Sequence, residues 1–242
     1  VPFFLGNGSN LLVADQGYDG FVVKTGGLDQ VREVNRRLRA GSGISLARLA
    51  NAALGRGLTG LEFAHGIPGS LGGAVVMNAG AYGGEMAQVL ASVACLDGSG
   101  EVRTLPAAEC GLSYRHSLFS DRPDWLIVEA ELALRPGDAG AIRERMEELM
   151  ARRREKQPLE YPSAGSTFKR PEGHFAAALI DQCGLKGLTV GGAQVSEKHA
   201  GFIVNRGGAT CADILGLIDQ VRERVLRETG VKLELEVRTL GL

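Results

Sequence analysis

The chain has no basic excess. Its 242 residues carry 27 Lys and Arg against 28 Asp and Glu, a formal net charge of −1. A nucleic-acid or membrane-surface binder shows its positive excess in composition, so both partner classes are set aside. No apolar run approaches the ~20 residues of a membrane span, which argues against membrane insertion. No charged segment followed by an apolar stretch opens the chain, so no secretory leader is visible. The first residues instead read like the middle of a fold. The four cysteines (Cys95, Cys110, Cys183 and Cys211) have neither CxxC nor zinc-type spacing. They suit apolar packing in a reducing compartment, so cytoplasmic placement is expected and a metal centre is not. Aromatic residues are scarce too, at 5%.

Glycine is plentiful, at 35 residues. Tight turns and a ligand approached by bare backbone follow from that balance. The hydrophobic share of 44% is enough for one or two domains with a real core. The densest stretch is GIPGSLGGAVVMNAGAYGG, residues 66–84, and the rest of the chain is organised around it. Ile67, Leu71, Val75, Val76 and Met77 separate its glycines, so one side packs and the other is backbone. Pro68 is suited to the first position of a short helix. The N–H groups after it would then face outward as a site for an anion or a carbonyl oxygen. A glycine-rich connector between two halves of a sheet is the plain alternative.

A second glycine turn, GNGSN at 6–10, lies between the apolar triplets 3–5 and 11–13. It is not a Rossmann fingerprint, because β-like residues and no helix follow it. What remains is a nest of N–H groups around a phosphate, or an ordinary hairpin turn.

In chain order, residues 21–23 read as a strand and 31–40 as one exposed strand. The arginines at 32, 36, 37 and 39 would form its solvated face. Ser45 caps a helix with Leu46, Leu49, Ala50, Ala53 and Leu54 on one side. Residues 85–89 form a short helix, 92–96 and 101–105 a hairpin, and 125–134 an alternating strand. Composition shifts after residue 137, where a charged helix runs to about 156. Beyond it come a loop at 161–170, a helix at 175–183 and strands near 188–190 and 202–204. Thr210 and Asp213 begin a clean helix, and 232–240 is the last strand.

Three polar stretches are left over: SYRHS (113–117), PSAGSTFK (162–169) and LELEVRTLG (233–241). Each has a dull account: Ser166 as a turn cap, Arg115 as a surface charge, Glu236 as an outward strand residue. Taken in order with GNGSN, the 66–83 run, QP (157–158), GLKG (184–187) and SEKHAGFIVN (196–205), they resemble the UDP-N-acetylenolpyruvoylglucosamine reductases of peptidoglycan synthesis. The likeness covers nearly the whole chain. The short stretch between Trp125 and Pro158 resembles the shorter of that family's two types.

The resemblance implies an α+β fold. A FAD-binding lobe of the vanillyl-alcohol-oxidase type (1–137) would precede a substrate-binding lobe (138–242), whose last strand returns towards the active site. FAD would be non-covalent. Gly6, Asn7, Gly8, Ser9 and Asn10 would lie at its diphosphate, and Gly66, Ile67, Pro68, Gly69, Gly73 and Asn78 along its ring system. In the family, hydride passes from NADPH through FAD to the enolpyruvyl C3, and a serine protonates C2. That serine matches Ser166, and the family's catalytic Arg and Glu match Arg115 and Glu236. Tyr114, Lys169, Arg170 and His199 fall on motif positions suited to an anionic UDP-sugar. A monomer is expected.

Two departures stand out. Family members carry further upstream residues with a Val-Gly-Gly motif, and this sequence starts after it. Arg170 also replaces an Asn common after the FK pair. Two competitors keep the motifs but change the function. One is an oxidase of the same fold, with flavin linked through a His such as His65. The other is a non-catalytic nucleotide-sugar binder.

Overall fold

The computed structural model describes residues 2–35 and 37–242. The chain folds as two units, Val1–Gly8 with Gly20–Arg153 and Ser9–Asp19 with Arg154–Leu242. Each unit mixes helices and antiparallel strands around its own apolar core.

The first unit is built on a five-stranded antiparallel sheet. Its order is Val102–Pro106, Leu90–Leu96, Leu126–Leu132, Arg37–Gly41, Val31–Val34. The stretch expected as one exposed strand at 31–40 is therefore two paired strands. The chain reverses at Asn35, which takes a left-handed φ of 50°. Arg36 lies outside the described residues. Nor is the second strand exposed, because Leu38 and Ala40 are fully buried. Arg37 and Arg39 both bond the Glu131 carboxylate, at 2.8 and 2.6 Å, and Arg32 pairs with Glu129 at 2.7 Å. The loose alternation hid the hairpin because both strands carry arginines on one face. A separate parallel pair, Phe3–Leu5 with Val22–Lys24, belongs to the same unit.

Three helices and most of a fourth fill out this unit. Helix α1 (Leu46–Leu54) starts at Ser45, whose hydroxyl accepts from the Arg48 N–H. Its face of Leu46, Leu49, Ala50, Ala53 and Leu54 enters the core. Helix α2 (Leu71–Val76) is capped by Ser70, not opened by Pro68. The serine hydroxyl supplies the acceptor that a proline cannot. Helix α3 (Leu118–Asp121) is one turn with a capping box from Ser117 and Ser120. Helix α4 (Ala139–Lys156) begins past residue 137, yet Ile142 and Met146 pack in the first core. The boundary between the two units accordingly falls within its last turn.

The second unit has a four-stranded antiparallel sheet in the order Ser163–Ser166, Phe202–Asn205, Ala193–Val195, Thr189–Val190. The first of these strands lies inside what reads in sequence as a loop. Helices α5 (Ala176–Gln182) and α6 (Cys211–Thr229) share its core through Leu179, Ile180, Leu217, Ile218, Val221 and Val225. Thr210 and Asp213 form the expected capping box on α6. Asp15 adds its carboxylate there, accepting from Cys211 N–H at 2.6 Å and Ala212 N–H at 3.0 Å.

The final strand is shorter than the expected 232–240. Only Arg238–Leu240 is regular, in parallel register with Leu11–Val13. Upstream, Leu235 makes an isolated antiparallel bridge to Phe168. Leu233, Leu235 and Val237 alternate into the core, as strand residues would, although no regular ladder forms there. Among the described residues, no helix is long and apolar enough to cross a membrane.

Candidate functional site

The glycine run divides into packed and bare positions. At Gly72, an added Cβ would meet the Ser42 Cβ at 2.9 Å. At Gly84 it would meet the Phe63 ring, with Cγ 2.6 Å away. These two glycines answer to the chain's own packing. Gly73 differs. It is exposed on the first turn of α2, and an added Cβ would touch only Ser70 Oγ, at 3.5 Å. Here the protein presents backbone to the outside without needing to.

The helix N-terminus is not the free N–H cluster that the sequence suggests. Leu71 N–H donates to Ile44 O at 2.9 Å and Gly72 N–H to Ser42 O at 2.7 Å. Gly73 N–H donates to Ser70 Oγ at 3.4 Å. Ser70 thus consumes part of the donor set that an anion would need. What α2 offers a ligand is close approach at Gly73, whereas Gly66 is covered by Arg153, with Cδ 3.2 Å from an added Cβ. Gly66, Ile67, Pro68 and Gly69 precede it, and Ile67 packs against the core.

The 6–10 turn is held from both of its ends. Gly6 abuts Ser70 so closely that a Cβ would overlap the hydroxyl. Asn7 is exposed, and Gly8 has φ 67°, a tight-turn conformation that glycine adopts freely. Ser9 and Asn10 group with the second unit. Asn10 Nδ2–H donates to Glu236 O at 3.0 Å, and Arg238 N–H donates to Asn10 O at 3.1 Å. At least part of the Asn10 amide is therefore spent on the backbone that carries Glu236.

Asn78 does not lie on the open face. It is 1% exposed, with Nδ2–H donating to Ser113 O at 3.1 Å and Oδ1 accepting from Ala87 N–H at 2.9 Å. The side chain that the resemblance puts along the ring system is occupied inside the first unit. The turn it grips, Ser113–His116, carries Tyr114 and Arg115 at its tip. Arg115 has φ 55°, its guanidinium sits 5.1 Å from the Tyr114 ring, and its Nη2–H reaches Gly80 O at 3.5 Å.

In the second unit, the backbone of Glu236 is joined to that of Thr167, the residue after Ser166. Glu236 N–H donates to Thr167 O at 2.9 Å, one residue from Ser166. Thr167 is buried, and its Oγ1 accepts from Ile203 N–H at 3.2 Å. Its own N–H donates to Gly201 O at 2.8 Å. Ser166 faces Phe202 across a ladder whose register shifts between Ser163 and Ser166, with Gly165 at φ 81°. Such a bulge re-aims the side chain that follows it. Both Ser166 and Glu236 are half-buried. Nothing in the sequence singled out Thr167, although a lone polar residue between Ser166 and a buried Phe168 was a usable signal.

The candidate substrate residues of this unit surround the same backbone. Lys169 N–H donates to Glu234 O at 2.8 Å, and its ammonium lies 3.6 Å from the Glu234 carboxylate. Arg170 is exposed and lies over the Phe175 ring at 4.6 Å. His199 Nδ1 accepts from Gly201 N–H at 3.2 Å, and its ring meets Phe202 edge-on at 4.9 Å. Burial lowers the His199 pKa against the pull of its backbone contact, and Lys186 lowers it further. A neutral ring accepting at Nδ1 keeps its proton on Nε2. Arg115 and Tyr114 belong to the first unit; Ser166, Glu236, Lys169, Arg170 and His199 belong to the second. Among the described residues, no group of three or more His, Cys, Asp or Glu is arranged to hold a metal ion.

Comparison with known proteins bears on both units. A family model described as FAD binding domain matches residues 3–106. Another, described as UDP-N-acetylenolpyruvoylglucosamine reductase, C-terminal domain, matches residues 157–240. The UDP-N-acetylenolpyruvoylglucosamine reductase of Clostridium novyi is 53% identical over 242 residues, covering 100% of this chain and 78% of the relative. That of Caldanaerobacter subterraneus is 50% identical, with 100% and 80% covered. The crystal structure of the Thermus caldophilus reductase has a TM-score of 0.87 at 39% identity, covering 99% of this chain and 85% of that one. Similar in sequence from end to end and in backbone to a solved member, the chain belongs to the UDP-N-acetylenolpyruvoylglucosamine reductase family.

Proposed function

We propose that this chain reduces the enolpyruvyl group of UDP-N-acetylglucosamine enolpyruvate to the lactyl ether of UDP-N-acetylmuramate, using FAD and NADPH. Family membership supports the reaction, and the FAD-domain match over residues 3–106 supports the cofactor. The observation that supports the site assignment is the Thr167 bridge, which ties the Glu236 backbone to the residue next to Ser166. The bare backbone at Gly73 and the turn at Gly8 fit a dinucleotide approached without side chains.

Bound FAD supplies the two-electron relay between NADPH and the enolpyruvyl C3. The residues of the chain do the rest. Hydride addition at C3 leaves the electron pair of the former double bond at C2, delocalised into the adjacent carboxylate. Ser166 donates its hydroxyl proton to C2, and the alkoxide left behind recovers a proton from solvent. A serine hydroxyl is a very weak acid, but a carbanion of this kind is basic enough to take its proton. Arg115 meets the charge that builds on the carboxylate oxygens, where a fixed cation acts most strongly. Glu236 holds a hydrogen-bonded neighbour in place, and its own backbone is tied to Thr167. Tyr114, Lys169, Arg170 and the Nε2–H of His199 are assigned to the UDP-sugar.

Flavin binding is assigned to residues 1–137 and substrate binding to 138–242, with Asn10 contributing through the Glu236 segment. A monomer in the cytoplasm completes the proposal. The four free, buried cysteines and the nucleotide nature of the substrate support the cytoplasmic placement.

The test is spectroscopic. Purified protein should carry visible flavin absorbance that anaerobic NADPH bleaches and the enolpyruvyl substrate restores. Flavin that is reduced but never re-oxidised by that substrate would refute the assignment.

A further inference from the structure

Asn78 joins the end of the glycine helix to the Arg115 turn. Its φ of 42° is a left-handed conformation that Asn tolerates better than most residues. From there its amide does two jobs while 1% exposed. Nδ2–H donates to Ser113 O at 3.1 Å, and Oδ1 accepts from Ala87 N–H at 2.9 Å.

The turn is small. Ser113 N–H donates to His116 O at 3.1 Å and His116 N–H to Ser113 O at 3.2 Å, so Tyr114 and Arg115 form its whole tip. Its far base is held separately. Ser117 Oγ–H and Ser120 Oγ–H donate to Val76 O at 2.7 and 2.9 Å. A two-residue tip pivots about its base. One base is fixed by hydroxyls on Val76 O, the other by the Asn78 amide on Ser113 O. Loss of the Asn78 contact frees Ser113 O, one residue from the tip, and leaves the direction of the guanidinium to the Ser113–His116 pair and the Gly80 O contact.

We propose that Asn78 is a positioning residue for Arg115, setting the direction of the guanidinium from the end of helix α2. This rests on the assignment of Arg115 to the substrate half-reaction. Asn78 touches no reacting atom; it acts through Ser113. Because α2 also carries Gly73, the same short helix serves the flavin face at its start and the Arg115 turn at its end.

Two variants separate the proposal from a purely structural role. Asn78→Asp keeps the acceptor for Ala87 N–H but turns a carboxylate towards Ser113 O. Asn78→Gly accepts φ 42° without strain and removes both contacts. Both should retain FAD, judged by visible absorbance per protein, and NADPH should reduce them at near the wild-type rate. Re-oxidation by substrate should slow on the order of 10²-fold, the cost of misplacing a catalytic group by about 1 Å.

The Asp variant carries a distinctive signature. When its carboxyl is protonated it regains a donor for Ser113 O. Its re-oxidation rate relative to wild type should therefore recover as pH falls, whereas that of Asn78→Gly should not. Glu85 (opposite Gly80), Arg115, and His116 with its partner Asp121 are common to all three proteins, so the ratio cancels their titration. Loss of flavin from both variants, or a re-oxidation rate equal to wild type, would overturn the positioning role. Arg115→Ala is the control: if it re-oxidises normally, the assignment of Arg115 fails, and not that of Asn78 alone.

Discussion

Ser70 Oγ occupies the space that a side chain on Gly6 would need. The start of the first glycine turn is thereby keyed to the cap of helix α2 within one unit. The contact separates two kinds of glycine. Gly6→Ala should clash with Ser70 and displace the cap. A loss of about 1 kcal/mol or more in stability should accompany loss of flavin. Gly73→Ala meets only ordinary contact, and alanine is favoured over glycine in a helix by roughly 0.5–1 kcal/mol. That variant should melt no lower than wild type yet bind FAD more weakly. Thermal unfolding of the apo-proteins, set against FAD titration, checks both. Full flavin affinity in Gly73→Ala would detach that glycine from the cofactor.

Helix α6 depends on a residue from far away in sequence. Asp15 accepts from the Cys211 and Ala212 N–H groups in the first turn, in addition to the Thr210–Asp213 box. Removing the carboxylate leaves two donors with solvent alone and deletes a favourable charge at the positive end of the helix. Asp15→Ala should cost about 1–2 kcal/mol, within the range of a lost N-cap. Denaturant melts of the wild type and the variant measure it. A change within error would mean that the capping box suffices.

Legibility in the sequence tracked how local the determining physics was. Helices α1 and α6 could be seen because their caps and apolar faces are contiguous in the chain. The hairpin at Asn35 could not: its turn carries a left-handed Asn with no glycine to signal it, and Glu129 and Glu131, which balance its arginines, lie about ninety residues on. Pro68 looked like a helix start because the rule for proline at N1 is local, while Ser70 won by its hydroxyl and its neighbours Ile44 and Ser42. Among the proposed site residues, Ser166, Arg115 and Glu236 could be named from motifs. The buried partners Thr167 and Asn78 could not be given their roles, because hydrogen bonds to Glu236 N–H and Ser113 O leave no pattern in sequence.

The four thiols should be slow to react. Cys95, Cys110, Cys183 and Cys211 are all buried and free. Burial pushes every one of their pKa values up, that of Cys110 to about 11. The thiolate is the nucleophile, so both its population and its access are low in the native state. A disulfide-exchange reagent should label the folded protein little over hours and take four equivalents in denaturant. Rapid native labelling at any one site would contradict the packing around it.

His199 should titrate below its ordinary value of 6.5, because burial penalises the imidazolium. The Gly201 N–H at Nδ1 points the same way, since a protonated ring cannot accept it. A depressed folded pKa means that the unfolded chain binds the proton more readily. The His199 contribution to stability is therefore complete above the unfolded value and is lost as pH falls through the folded one. Proton NMR of the histidine ring, assigned by comparison with His199→Gln, should give a midpoint under 6.5. A midpoint above it would remove the Nδ1 contact and with it the case for an Nε2–H donor.

Ser166 offers the most direct test of the chemistry. The reaction has two halves, and only the second needs a proton at C2. Ser166→Ala removes one hydroxyl beside a bulge whose backbone is held by Thr167 on Gly201 O and Glu236 N–H. The fold around it should persist. FAD content should match wild type, and NADPH should bleach the flavin at close to the normal rate. Re-oxidation by the enolpyruvyl substrate should then slow on the order of 10²–10⁴-fold, the range for a lost general acid. Ser166→Cys replaces the hydroxyl with a stronger acid at nearly the same reach and should recover part of that loss. Stopped-flow absorbance separates the two halves directly. Normal re-oxidation in the alanine variant would reduce Ser166 to a strand residue. A defect confined to the NADPH half would assign its loop to the reductant instead.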